Sequence, residues 1–204
     1  MITIVDYGVG NLRAFVNLYK RLNIPTKIAQ NKSDLENAQK LLLPGVGHYD
    51  FAMKQLNESG MKDTLDELVL RKKIPVLGVC VGMQMMAKSS EEGKLEGLGW
   101  LDAVVKKIDE TKINQITKLP HMGWNCVEVN QKTKLFESLE DNPEFYFLHS
   151  YYFSCNDFSN SIGTTEYGGN FTSAVNHNNI YGIQFHPEKS HRNGEVLLCN
   201  FAKI

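Results

Sequence analysis

Two short stretches carry residue types able to do covalent chemistry together. The first is GVCVGMQ at 78–84, where Cys80 has a glycine two residues to either side. A strand ending Gly-X-nucleophile-X-Gly and turning at once into a helix is the nucleophile-elbow pattern. Its turn is so sharp that larger side chains at the glycine positions would collide. Such a turn would lift Cys80 out at the carboxyl end of a strand, where open α/β sheets bind ligands. It would also set the thiol at a helix start, whose partial positive charge favours a thiolate. The backbone N–H of Val81 would then be available to an oxyanion. The competing reading is a small buried hydrophobe, the commoner fate of a lone free cysteine, and the two glycines weigh against it.

A thiol of ordinary pKa, ~8.5, is little ionised at neutral pH, so a catalytic cysteine usually has a base. Of the six histidines, His186 stands apart. It ends the apolar run YGIQFHPEKS at 181–190, and Pro187 stops the strand behind it. Glu188, two residues on, can curl back to accept from the imidazole and fix its tautomer, the orienting role of a triad's third member. Alone, His-Pro-Glu reads equally well as a solvated surface loop. Paired with an elbow cysteine, it becomes a base and its orienter.

A third stretch, LLLPGVGHYD at 41–50, predicts another strand ending in a glycine-rich turn, Gly45-Val46-Gly47. Glycines let backbone approach a ligand and let peptide N–H groups converge on an anion, so this loop is a candidate second oxyanion donor. Gln84 lies four residues after Cys80 and shares its helical face, within reach of a bound substrate. Met83, Met85 and Met86 are read as core.

The elements that must position these residues follow from periodicity. Strands are expected at 2–5, 26–30, 40–45 and 74–79, alternating with helices over 11–22, from Ser33, over 48–72 with a break near Gly60, and from about 81. Ser33 and Glu36 have the spacing of a capping box. Strand–helix alternation predicts a mainly parallel sheet covered on both faces. After Trp100 the pattern changes to strands separated by turns, among them LDAVVKKI, HMGWNCVEV, EFYFLHSYYF, SIGTTEY, TSAVNH and IYGIQFHP, and a closing helix from Ser190 to Phe201. The expectation is one α/β domain over 1–204, with a mixed, mostly parallel sheet flanked by helices and a strand-rich second half.

Composition narrows the classes. The 204 residues are 42% hydrophobic and 22% charged with a net charge of −1, an ordinary globular profile. Lys and Arg are scattered, which leaves no electrostatic footprint for nucleic acid and no polybasic membrane segment. The opening MITIVDYGVG lacks the basic start of a secretory signal, and the longest apolar stretch, 74–87, is shorter than a membrane span. Cys80, Cys126, Cys155 and Cys199 are far apart with no CxxC, which argues against zinc and reads as free thiols in a cytoplasmic protein.

In this order and spacing, PGVG at 44–47, GVCVGMQ at 78–84 and HPEKS at 186–190 resemble the class I glutamine amidotransferases with a Cys-His-Glu triad. DYGVGNL at 6–12, PHMGWN at 120–125 and FLHSYYF at 147–153 are similar, more narrowly, to the glutaminase subunits of imidazole glycerol phosphate synthases. The likeness spans nearly the whole chain. One departure is Val81, where the family more often has leucine, and its backbone N–H is what the chemistry uses. The resemblance implies a flavodoxin-like mixed sheet, Cys80 as nucleophile, His186 as base and acid, and Glu188 as orienter. It implies Gly47 and Val81 as oxyanion donors, with Gly45 and Val46 shaping the loop. Gln84 and Glu92 would hold the glutamine head group, and His149, Ser150 and Tyr151 would line the other side. The implied partner is a (β/α)-barrel cyclase in a heterodimer, docked over Asn11, Trp124, Tyr146 and Lys189, with no metal or organic cofactor. Competing classes are a paralogous glutaminase feeding a sugar-modifying synthetase for surface polysaccharide, another cysteine hydrolase such as a γ-glutamyl hydrolase, and a non-catalytic module on the same fold.

Overall fold

The computed structural model describes residues 1–116, 118–140 and 142–204. The first half is built as alternation dictates. Strand β1 (Ile2–Val5) is followed by helix α1 (Leu12–Arg21), β2 (Thr26–Ala29), β3 (Leu41–Gly45), α2 (Tyr49–Glu58), α3 (Lys62–Asp66), β4 (Val76–Cys80) and α4 (Val81–Gln84). Every residue of β1, β3 and β4 is buried, which is why these strands read as continuous apolar runs. Helix α1 turns Phe15, Leu18 and Tyr19 inward and ends in Lys20 and Arg21, basic residues that suit the negative end of a helix. The helical stretch after β3 breaks at Gly60, whose φ of 69° lies in the left-handed region.

The second half contains β5 (Ser89–Ser90), β6 (Ala103–Lys107), β7 (His121–Cys126), β8 (Glu128–Val129), β9 (Glu144–His149), β10 (Tyr151–Cys155), β11 (Ser161–Glu166), β12 (Asn170–His177), β13 (Ile180–Ile183) and helix α5 (His191–Lys203). The main sheet runs β2-β1-β3-β4-β13-β12-β10-β6-β5, with β11 pairing both β12 and β8. Pairs from β2 to β13 are parallel. Beyond β13 the sheet is antiparallel, until short β5 lies parallel to β6 at its edge. Strands β7 and β9 form a separate antiparallel ribbon. The mixed, mostly parallel core flanked by helices is the fold class expected from the sequence.

Three local expectations are corrected. The turn after β2 is capped by Asn31, whose side chain accepts from the N–H groups of Ser33 and Asp34, and not by Ser33. The helix after Cys80 starts at Val81, as expected, and spans four residues. EFYFLHSYYF is two strands, not one: β9 pairs in the ribbon and β10 in the main sheet, with Ser150 at the change of direction. Strand β13 ends at Ile183, three residues before His186.

Candidate active site

Cys80 ends β4 with φ 53° and ψ −113°, a strained conformation for a residue with a Cβ. The surrounding glycines explain how it is held. A Cβ on Gly78 would lie 2.7 Å from the Gly82 carbonyl oxygen and 2.6 Å from Met86 Cε. One on Gly82 would run into the Leu43 carbonyl oxygen, and one on Gly45 into the Gly82 nitrogen. These three glycines therefore let the ends of β3 and β4 and the start of α4 meet backbone to backbone. Gly45 is the register partner of Cys80, which sets the Gly45–Gly47 loop directly beside the nucleophile. Gly47, at φ 88°, has open space where a side chain would stand.

His186 reaches the same place from the loop after β13. Its N–H donates to the Tyr146 carbonyl at 2.8 Å. Its own carbonyl accepts from the Ser190 hydroxyl at 2.6 Å, and that hydroxyl in turn accepts from the Tyr146 N–H at 2.9 Å. A single 3-10 turn, Pro187–Lys189, brings Glu188 back so that its Oε1 lies 2.9 Å from His186 Nδ1, both side chains nearly excluded from solvent. Nδ1 thus donates to Glu188, and Nε2 is left for the chemistry. Nε2 makes no closed hydrogen bond, and the Cys80 thiol acts on the ring electrostatically. Burial disfavours a charged imidazole here, but Cys80 and Glu188 outweigh it and push His186 up to about 10. A cation beside the sulfur is the state from which a thiolate attacks and a leaving group takes its proton.

A cleft of about 340 Å³ opens over the sulfur, lined by Val46, Gly47, Cys80, Val81, Gln84, Glu92, Pro120, Leu148, His149, Ser150 and Tyr151. The structure thus brings nearly all the sequence-predicted substrate residues to one wall or another. Gly45 lies behind, with Asn11, His186, Glu188 and Lys189 around a smaller cavity of about 220 Å³. Two side chains have more work than expected. Glu92 accepts from the Tyr49 N–H at 2.9 Å, so it ties the start of α2 to the cleft. His149 is turned inward: its Nδ1 lies 2.8 Å from the Tyr151 carbonyl and its Nε2 2.9 Å from His121 Nδ1. Burial pulls both imidazoles down, His121 to about 4 and His149 to about 3, so both are neutral.

Trp124 and Tyr146, cross-strand partners in the ribbon, form one exposed face with Lys189. Trp124 stacks on His191 at 5.1 Å between ring centroids and meets Tyr146 edge-on. The Lys189 ammonium sits 5.3 Å over the Tyr146 ring. Asn11 joins this face only through the smaller cavity. Sequence reasoning singled out neither His191, Ser190, His121 nor Gln184. The last had a visible signal, a glutamine inside an otherwise apolar run. Among the described residues no group of three His, Cys, Asp or Glu side chains is placed to hold a metal ion, and no helix is long and apolar enough to cross a membrane.

The family model for class-I glutamine amidotransferases matches residues 3–203. The chain is 53% identical to the imidazole glycerol phosphate synthase subunit HisH of Leptospira interrogans and 51% identical to that of Bdellovibrio bacteriovorus, covering all of both chains in each case. Among solved structures, a crystal structure of a glutamine amidotransferase superposes with a TM-score of 0.76 at 22% identity, covering 100% of this chain and 99% of the other. The PurLQS structure from Thermotoga maritima gives 0.74 at 13%, covering 99% and 97%. These two speak to the fold. With the family match over almost its entire length, the chain belongs to the class-I glutamine amidotransferases.

Proposed function

We propose that residues 1–204 act as a single glutaminase domain, the ammonia-producing subunit of an imidazole glycerol phosphate synthase in histidine biosynthesis. The observation that carries the reading is the meeting of the strained Cys80 with the His186–Glu188 pair under one cleft. Full-length identity above 50% with HisH subunits supports the pathway.

The Cys80 thiolate adds to the γ-carboxamide carbon of L-glutamine, and the carbonyl π electrons move to oxygen. The N–H groups of Gly47 and Val81 receive that oxyanion. The C–N bond then breaks as His186 gives its proton to the leaving nitrogen, releasing ammonia and leaving a thioester. The neutral imidazole takes a proton from water, hydroxide adds to the thioester, and the thiolate departs with glutamate as product. Glu188 keeps Nε2 aimed at the sulfur throughout. Gln84 and Glu92 on one side, and the 149–151 segment on the other, hold the amino acid head group.

Ammonia protonates in water, so it is best passed on through an enclosed path. The face bearing Trp124, Tyr146, Lys189 and Asn11 borders the triad and suits a (β/α)-barrel cyclase in a cytoplasmic heterodimer. There ammonia completes formation of imidazole glycerol phosphate and aminoimidazole carboxamide ribotide. The test is ammonia release from glutamine with and without the cognate barrel, joined to rescue of a histidine auxotroph lacking its own glutaminase subunit. Turnover with growth is expected. Turnover without growth would assign the chain to a different acceptor, such as a sugar-modifying synthetase.

A further inference from the structure

Gln184 is wholly buried and, in the reading above, has no role. Its amide nitrogen, Nε2, points at the nucleophile, 3.7 Å from Cys80 Sγ. Its Oε1 accepts from Gln84 Nε2 at 3.1 Å, and the same nitrogen donates to the Tyr151 carbonyl at 3.0 Å. That carbonyl is also the acceptor for His149 Nδ1. The series continues through His149 Nε2 to His121 Nδ1, and from His121 Nε2 to Asn125 Nδ2 at 3.2 Å. Asn125 Nδ2 donates again to the Glu166 carbonyl at 2.9 Å.

The direction of every bond in this series is fixed. Asn125 can only donate from Nδ2, so His121 Nε2 accepts and Nδ1 carries the proton. His149 Nε2 must then accept, and its Nδ1–H goes to Tyr151. Gln84 spends both amide hydrogens on Tyr151 and Gln184, so Gln184 must present oxygen to Gln84 and N–H to sulfur. Turning any one amide over would break two bonds and set like groups against each other.

We propose that Gln184 is a further catalytic residue, an amide donor to the Cys80 sulfur that favours the thiolate and is aimed by Gln84, whose own amide is fixed by the Tyr151 carbonyl. This deepens the glutaminase reading and rests on Cys80 being its nucleophile. The neutral thiol has an alternative partner, the Leu148 carbonyl, 3.9 Å from Sγ. Ionisation removes that bond and turns the carbonyl into a repulsive neighbour. The Gln184 N–H persists and strengthens against a charged acceptor. The other titratable groups about the sulfur are His186 with Glu188 behind it, Tyr7 from the segment after β1, Glu92 and Tyr151 across the cleft, and His149. Tyr7 donates its hydroxyl to the Pro44 carbonyl and is held protonated by burial and then by the sulfur's charge. His186 thus supplies the counter-charge, and Gln184 is the uncharged donor.

The test reads the thiol without glutamine. The rate of Cys80 alkylation by iodoacetamide, followed by peptide mass, is measured against pH for the full chain. In Gln184→Met, which keeps length and apolar fit but loses the donor, alkylation at pH 7 should slow about tenfold while the plateau at high pH is unchanged. In Gln84→Met, which removes the donor to Gln184 Oε1 and so frees that amide to turn, the slowing should be about two- to threefold. A folded Gln184→Met with the parental profile overturns the proposal. Should that variant not fold, a parental profile in Gln84→Met overturns it instead. Failure of the glutaminase reading would appear separately, as absent glutamine turnover in a parent whose thiol still shows the profile.

Discussion

The two halves of the site are held in different ways. The Cys80 half stands at the ends of β3 and β4, where Gly45, Gly78 and Gly82 let backbone pack on backbone. The His186 half hangs on hydrogen bonds: Tyr146 carbonyl to His186 N–H, the Ser190 hydroxyl to both backbones, and Glu188 to the ring. The first half is intolerant of added volume. The second depends on donors and acceptors. A strained nucleophile needs rigid walls, whereas a proton carrier needs a fixed tautomer and a fixed ring.

The largest effect should come from the reacting atom. Cys80→Ala is expected to lower glutamine turnover by at least about a thousandfold with the thermal midpoint nearly unchanged, since the glycines still make the turn. Substantial turnover in this variant would remove the covalent route. Next comes volume in the rigid half. Gly82→Ala should destabilise by roughly 2 kcal/mol or more, because its Cβ meets the Leu43 carbonyl and no flexible side chain can yield. Urea unfolding measures this, and a stability equal to the parent's would show that β3 and α4 can separate.

In the hydrogen-bonded half, His186→Ala should cost more in single-turnover rate than Glu188→Gln, because packing can partly replace an orienter but not a proton carrier. Equal losses would show that Glu188 does more than orient. Ser190→Ala breaks one tie on each side of the base and should cost about 1–3 kcal/mol, read by denaturation, with the pH profile of turnover preserved. The smallest effect is on pH dependence. His121 and His149 are held neutral when folded, with pKa values depressed to about 4 and about 3. Below the ordinary histidine value near ~6.5 the unfolded chain takes up protons first. Their contribution is therefore complete above that value and is lost as pH falls toward 4 and below. Denaturant midpoints from pH 7.5 to 4.5 should fall more steeply in the parent than in His121→Phe.

What was legible in the sequence follows the same division. Gly78, Cys80 and Gly82 form a local pattern whose cause is steric and near in sequence. His186 and Glu188 are two residues apart, joined by a turn that Pro187 predicts. Helix α1 was legible from its apolar face, and β1, β3 and β4 from their unbroken burial. The second half was harder, because its polar contacts are set by register between distant strands. His121 meets His149 only because β7 and β9 pair at that register. Gln184 meets Gln84 only because β13 lies beside β4. The change of sheet at Ser150 left no breaker residue in EFYFLHSYYF, so the run read as one strand.

Cys80 as the group that attacks glutamine is the central claim. The glutamine analogue 6-diazo-5-oxo-norleucine, which alkylates a nucleophile that accepts glutamine, tests this in one measurement of intact and peptide mass. The account predicts one adduct per chain, on Cys80, formed more slowly when glutamine is present and absent in Cys80→Ala. Labelling that falls on the exposed Cys126, or that glutamine does not slow, would contradict it.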